Sequence, residues 1–194
     1  AMNSPGFDRE RYDRQLDLID DSGQEKLGRS SVALVGLGGL GSPAAVYLAL
    51  AGLGELVLID HDHVIRSNLN RQFLHWDGDL SRAKTDSARE KIEKLNPETR
   101  VKTVDCELTP DTLEDLPEVD VIIGAVDNFK ARYLSNRFAV ENGIPYIHGA
   151  VEGFQGQITT IIPGDTPCLD CVFPESPPER SGLQVLGVTA EIGR

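Results

Sequence analysis

The sequence predicts a doubly wound α/β fold, a mainly parallel sheet with helices on both faces. Short apolar runs alternate with stretches of helical periodicity between residues 31 and 162. Most of these runs are apolar throughout rather than at every second position, as in strands covered on both sides. A glycine-rich turn, Gly36 to Gly41, joins the first such run to a helix.

The elements follow in order. Residues 8–20 read as an amphipathic helix, with Tyr12, Leu16 and Ile19 on one face. Ser31–Val35 is a buried strand. Ser42–Ala51 is a helix rich in Ala and Leu, with Pro43 tolerated in its first turn and Gly52 closing it. Leu56–Asp60 is the second strand. Arg82–Leu95 reads as an exposed helix ended by Asn96-Pro97. Val101–Cys106 and Val119–Val126 are the next strands, the latter running into Asp127-Asn128. Phe129–Glu141 is a helix stopped by Asn142-Gly143, and Ile144–His148 and Gln157–Ile162 are further strands. Beyond Pro163 the chain is Pro- and Glu-rich and mostly loop. Right-handed crossovers put the carboxyl ends of parallel strands on one edge, so the glycine turn, Asp60 and Asp127 should face one cleft.

The 194 residues suit a single domain with its own core. A formal net charge of −12 repels phosphate backbones, so nucleic-acid binding is not expected. Against such acidity any local cluster of Arg and Lys asks for a reason. No apolar run approaches the roughly 20 residues of a membrane span, and the N-terminus lacks a signal-peptide core, so the expected compartment is the cytoplasm. Three cysteines do not suggest a disulfide framework. Cys106 reads as a packed side chain in its strand, and His148 as a packing or hydrogen-bonding residue.

Gly36-Leu37-Gly38-Gly39-Leu40-Gly41 fits G-x-G-x-x-G in its required context, after a strand and opening a helix. Missing side chains let backbone approach a phosphate, and the helix amino end offers free N–H groups to it. Asp60 follows Gly41 by nineteen positions, the place of a ribose-binding acid. This is the signature of a Rossmann-like nucleotide fold. Alone it favours NAD, which keeps an NAD-dependent oxidoreductase as an alternative.

The next stretch favours ATP. Residues 62–74 bring Arg66, Asn68, Asn70, Arg71 and Gln72, and Lys84 follows. A triphosphate brings about four negative charges near neutral pH, which must be spread over cations and N–H donors. With Arg11-Tyr12-Asp13-Arg14-Gln15, the glycine loop, Asp60-His61-Asp62, Ser67-Asn68-Leu69-Asn70-Arg71-Gln72, Lys84, Val126-Asp127-Asn128 and Cys168-Leu169-Asp170-Cys171, the chain resembles the MoeB/ThiF/HesA family, prokaryotic relatives of ubiquitin-activating enzymes. The resemblance runs from about Arg11 to the end of the chain.

The resemblance implies a single ATP-binding adenylation domain over residues 1–194. Its activity would be adenylylation of the C-terminal glycine of a small ubiquitin-like β-grasp protein ending in Gly-Gly. It implies that Gly36, Gly38, Gly39 and Gly41 form the phosphate loop and that Asp60, beside Asp62, binds the ribose. Asn68, Arg71 and Lys84 would hold phosphates, with Gln72 supporting their loop, and Asp127, beside Asn128, would bind Mg²⁺. Arg14 would reach into the site of the other subunit of a homodimer. The chemistry agrees. The nucleophile is a carboxylate, ionised near pH 7, so no general base is needed. Catalysis would come from positioning and from cations.

Each residue has a plainer reading. Arg14 could be a solvated charge, Lys84 an ordinary helix lysine, and Asp127-Asn128 a helix cap. A third possibility is a non-catalytic relative that binds nucleotide or carrier. Cys168 and Cys171 supply half of a tetrahedral zinc site, with a vestigial or redox pair as the alternative. The family's second Cys-x-x-Cys is absent, and the chain reads as truncated near Arg194. Residues 181–188 hold no transfer cysteine, so no covalent thioester on this chain is expected.

Overall fold

The computed structural model describes residues 6–174. Five strands run parallel: β1 (Ser31–Val35), β2 (Glu55–Ile59), β3 (Arg100–Val104), β4 (Val121–Gly124) and β5 (Tyr146–Glu152). β6 (Gln155–Ile161) returns antiparallel along β5. Their order across the single sheet is β3-β2-β1-β4-β5-β6. The chain therefore changes direction of winding between β1 and β4. Carboxyl ends at such a switch point splay their loops apart and leave a crevice.

The helices are α1 (Arg9–Leu27), α2 (Gly41–Leu50), α3 (Lys84–Leu95), α4 (Pro110–Glu114), α5 (Phe129–Glu141) and α6 (Leu169–Val172). Alternation along β1 sets the two-sided packing. Val32 and Leu34 face a cluster holding Ala45 and Ala49 of α2 and Ala88 and Ile92 of α3. Ala33 and Val35 face a second cluster holding Leu113 of α4 and Ala131 and Ala139 of α5. This is why β1 and β2 read as unbroken apolar runs. The doubly wound, mainly parallel sheet expected from the sequence is the observed one. β6 differs: it lies at the sheet edge with Gln155 to Ile158 exposed.

Three local expectations need correction. The first helix does not end at residue 20. Asp20 breaks it with φ 53° and ψ −178°, and the helix resumes to Leu27 because the Asp20 carboxylate accepts from Ser22 Oγ and Gly23 N, capping the second segment. The helix expected to be exposed, Arg82–Leu95, starts at Lys84 and buries Lys84, Thr85, Ser87, Ala88, Lys91 and Ile92. Lys84 and Lys91 lie inward because Asp62 and Asp79 meet them there. Cys106 lies beyond the end of β3 at Val104 and is half-buried, so it is not a strand residue.

Candidate functional site

The glycine loop lies at the carboxyl end of β1, at the switch point. Gly36 has φ 93°, and its N–H donates to Ile59 O at 2.8 Å. Gly41 lies so near Gly36 that an added Cβ would stand 1.8 Å from the Gly36 carbonyl oxygen, so only glycine fits there. Gly38 is different: an added Cβ would meet only the Gln72 amide, at 3.7 Å. The protein's own packing does not require glycine at Gly38. Gly39 is half-buried in the same turn. Among the described residues no backbone carbonyl accepts from the N–H groups of Gly38, Gly39 or Leu40. These donors open α2, which has no side-chain cap.

Asp60 follows the end of β2 and locks this loop. Its carboxylate accepts from Leu37 N at 2.7 Å and from Asp62 N at 2.8 Å. Asp62 in turn accepts from Lys84 Nζ at 2.8 Å. Burial of Asp62 would raise its pKa, but the hydrogen bond and charge of Lys84 outweigh it, and the carboxyl stays below the ordinary range. Lys84 is only 5% exposed, so its side chain is committed to the site rather than to solvent.

Residues 66–72 form the wall above. Arg71 Nη1 donates to Ser67 O at 2.9 Å and to Asn70 Oδ1 at 3.0 Å, and no carboxylate lies within ion-pair distance among the described residues. Asn68 is buried, and its Oδ1 accepts from Ile65 N at 3.2 Å. Gln72 is buried with its Oε1 unpartnered among the described residues. Asn68 and Gln72 thus hold the wall's shape, while Arg71 keeps an uncompensated charge.

Across the switch point, Asp127 is exposed three residues past the end of β4. Asn128 caps α5, its Oδ1 accepting from Ala131 N at 2.8 Å. Beneath them lies a group the sequence reading did not single out. Arg132 Nε donates to Val126 O at 3.2 Å, and its guanidinium lies 5.2 Å from the Phe129 ring. Burial lowers its pKa, with Tyr146 and Asp127 among the groups opposing that. Tyr146 Oη and His148 Nδ1 are buried and unpartnered among the described residues. His148 is a packed histidine, as its sequence context suggested.

A second missed residue is His75, buried behind the glycine loop. Its ring touches Ser87 Oγ at 2.9 Å and Leu37 O at 3.2 Å. A lone His in a polar loop gives no sign of this in the sequence. Burial is the main cause that lowers the pKa of both His75 and His148 to about 4, with nearby Lys84 and Lys91 adding to it for the first and Arg132 for the second. Both stay neutral in the folded protein while the unfolded chain takes up protons near pH 6.5. Stability is therefore fully present above about pH 6.5 and falls as pH drops toward 4, by on the order of 3 kcal/mol per histidine. Thermal melts across that range should show a falling Tm, and a flat profile between pH 6.5 and 4.5 would contradict the burial of these rings.

Arg14 is not brought to this cleft. α1 docks on the opposite edge of the sheet. Tyr12 Oη donates to Glu98 Oε2 at 2.7 Å and accepts from Asn96 Nδ2 at 2.8 Å. Gln15 Nε2 donates to Ala51 O at 2.7 Å. These partners end α2 and precede β3, at the amino ends of the strands. A five-residue strand is about 16 Å long, so the depth of the sheet separates Arg14 from the glycine loop of its own chain. Arg14 is exposed and has no ion-pair partner among the described residues.

Cys168 and Cys171 also stand apart from the cleft, around the short α6, with their sulfurs 3.4 Å apart. Burial opposes ionisation of Cys168, but hydrogen bonds from Cys171 outweigh it and hold the thiol below its ordinary pKa. Such a pair fits two corners of a tetrahedral thiolate site. No third metal-ligating side chain joins them among the described residues. Residues 181–194, with the missing transfer cysteine and the expected truncation, lie outside the described residues.

Known proteins resemble this chain in sequence and in fold. The chain is 43% identical over 188 residues to a SAMP-activating enzyme E1 of Haloferax volcanii, covering 92% of this chain and 69% of that one. It is 41% identical over 174 residues to an adenylyltransferase and sulfurtransferase MOCS3 of Culex quinquefasciatus, covering 88% of this chain and 40% of that one. A crystal structure of E. coli MccB with ATP superposes with a TM-score of 0.78 at 29% identity, over 84% of this chain and 52% of that chain. The chain thus spans about half of the solved relative. The ThiF family profile matches residues 12–190, a stretch that runs from the docked Tyr12 through the glycine loop and past both cysteines, and the chain belongs to that family.

Proposed function

We propose that this chain is an adenylyltransferase that joins the AMP of ATP to the C-terminal glycine carboxylate of a small ubiquitin-like β-grasp protein ending in Gly-Gly, releasing pyrophosphate. One observation carries the reading. In a chain of net charge −12, the N–H groups of Gly38, Gly39 and Leu40 have no backbone carbonyl partner, Lys84 pairs with Asp62 beside that loop, and Arg71 has no carboxylate partner among the described residues. Gly38 supports it, since the opening above it is explained by what approaches from outside rather than by packing. The relatives support it by their names: an activating enzyme, an adenylyltransferase, and a structure holding ATP.

In this reading the N–H groups of Gly38, Gly39 and Leu40 hold phosphate oxygens, and Asp60 and Asp62 line the ribose side. Arg71 and Lys84 draw charge from the leaving pyrophosphate. The incoming carboxylate is already ionised and needs no base, so the obstacle is repulsion between anions. Asp127 would hold Mg²⁺, which supplies charge neutralisation between the phosphates. It suits that role better than the neighbouring Asp60-His61-Asp62 cluster, whose carboxylates are engaged by Leu37 N, Asp62 N and Lys84. Cys168 and Cys171 would hold a structural Zn²⁺ with ligands from outside the described residues. Arg14 would serve the site of the other subunit in a homodimer. No thioester on this chain is part of the reading.

The test is isotope exchange between ATP and pyrophosphate, with Mg²⁺ and candidate β-grasp proteins ending in Gly-Gly. Exchange that depends on the carrier and stops when its last glycine is removed is the expected result. Absence of exchange with every cognate carrier, or tighter calorimetric binding of NADH than of ATP, would reject the reading.

A further inference from the structure

We propose that His75 is a positioning residue that aims the Gly38 N–H at the nucleotide phosphates, acting through the carbonyl of Leu37. The inference rests on the reading of the glycine loop as a phosphate site. The Leu37 carbonyl is held from below by two donors, His75 Nε2 at 3.2 Å and Ser42 Oγ at 3.2 Å. Its N–H is held by Asp60 Oδ2 at 2.7 Å. A trans peptide unit is planar, and its C=O and N–H point in opposite directions. Fixing the Leu37 C=O toward the interior therefore fixes the Gly38 N–H away from it, and among the described residues no backbone carbonyl accepts from that N–H.

The surroundings assign the tautomer. A carbonyl oxygen only accepts, so Nε2 carries the proton. Nδ1 is then an acceptor, and Ser87 Oγ–H donates to it at 2.9 Å. Ser87 Oγ in turn accepts from Lys91 Nζ at 3.0 Å, and Lys91 is ion-paired with the buried Asp79. With the Ser87 hydroxyl proton directed at Nδ1, the chain Asp79–Lys91–Ser87–His75–Leu37 is satisfied from end to end. Charging the ring would cost Nδ1 the hydrogen bond it accepts from Ser87 and add a cation beside Lys84 and Lys91. The network holds His75 neutral and in one orientation, which suits a positioning role rather than proton transfer. The far end of the chain reaches the surface: Lys91 Nζ stands 4.8 Å from the ring of Trp76, the single tryptophan.

The decisive experiment compares His75→Asn and His75→Gln in calorimetric titrations with Mg·ATP, with Trp76 emission as a second signal. The Asn amide can reach Ser87 but not Leu37, whereas the longer Gln amide can replace the Nε2 donor. The expected result is about tenfold weaker binding for the Asn variant and recovery to within about threefold for the Gln variant, the scale of one hydrogen bond. Equal affinity of the Asn variant and the unmodified chain overturns the role of His75 while leaving the nucleotide reading intact. Equal weakening in both variants also overturns it, since packing loss alone would give that pattern. Failure of the unmodified chain to bind Mg·ATP rejects the phosphate loop itself. One measurement needs no variant: long-range ¹⁵N spectra of the unmodified chain at pH 7 should show His75 as the neutral Nε2–H form. A charged ring or an Nδ1–H form overturns the assignment.

Discussion

Replacing Arg71 by Ala should lower carrier-dependent ATP–pyrophosphate exchange by about 100-fold or more, the usual scale for removing one donor to developing charge. The fold should survive. Among the described residues the Arg71 guanidinium bonds only Ser67 O and Asn70 Oδ1, both within its own loop. Two lost, partly exposed hydrogen bonds cost about 1 kcal/mol or less in stability. The split between activity and stability is the informative quantity. A parallel loss of Tm and exchange would make Arg71 a structural residue. Exchange near that of the unmodified chain would remove the charge argument for the whole crevice. An Arg71→Lys variant sharpens the result: it keeps the charge but not the planar fork, and should recover only part of the loss.

Arg14→Ala should lose exchange on a similar scale even though Arg14 lies on the far edge of the sheet from its own glycine loop. The stronger test is mixing. If each site takes Arg71 from one subunit and Arg14 from the other, a dimer of an Arg14→Ala chain and an Arg71→Ala chain has one intact site. Random reassortment makes half of all dimers mixed, so two inactive preparations should combine to give about a quarter of full activity. Lack of recovery after demonstrated subunit exchange would refute a shared site. Full activity of Arg14→Ala alone would return Arg14 to the status of a solvated charge.

The sheet was legible because burial on both faces writes itself into composition: Ser31–Val35 and Glu55–Ile59 have no polar residue to interrupt their inner positions. The glycine loop was legible for a related reason, since close backbone approach excludes every side chain at Gly41. Boundaries set by single side chains were not. Asp20 restarts a helix by capping, and its aspartate looks like any other in that polar stretch. The inward face of α3 was hidden because Lys84 and Lys91 have partners, Asp62 and Asp79, distant enough in sequence that periodicity cannot pair them. The same holds for His75, which meets Ser87 and Leu37. Those partners lie twelve and thirty-eight positions away, in contacts that no local pattern records.

The Asp62–Lys84 pair has a consequence for traffic through the site. On the proposed reading the crevice holds a built-in competitor for its own cation, the Asp62 carboxylate on Lys84. A ligand with a single weak charge gains little by displacing a carboxylate at 2.8 Å, whereas a triphosphate bridging several donors can. In that reading, once pyrophosphate formed, the same carboxylate would reclaim the ammonium and help to expel the product. Discrimination on entry and turnover on exit would then come from one internal anion, waiting at the first turn of α3.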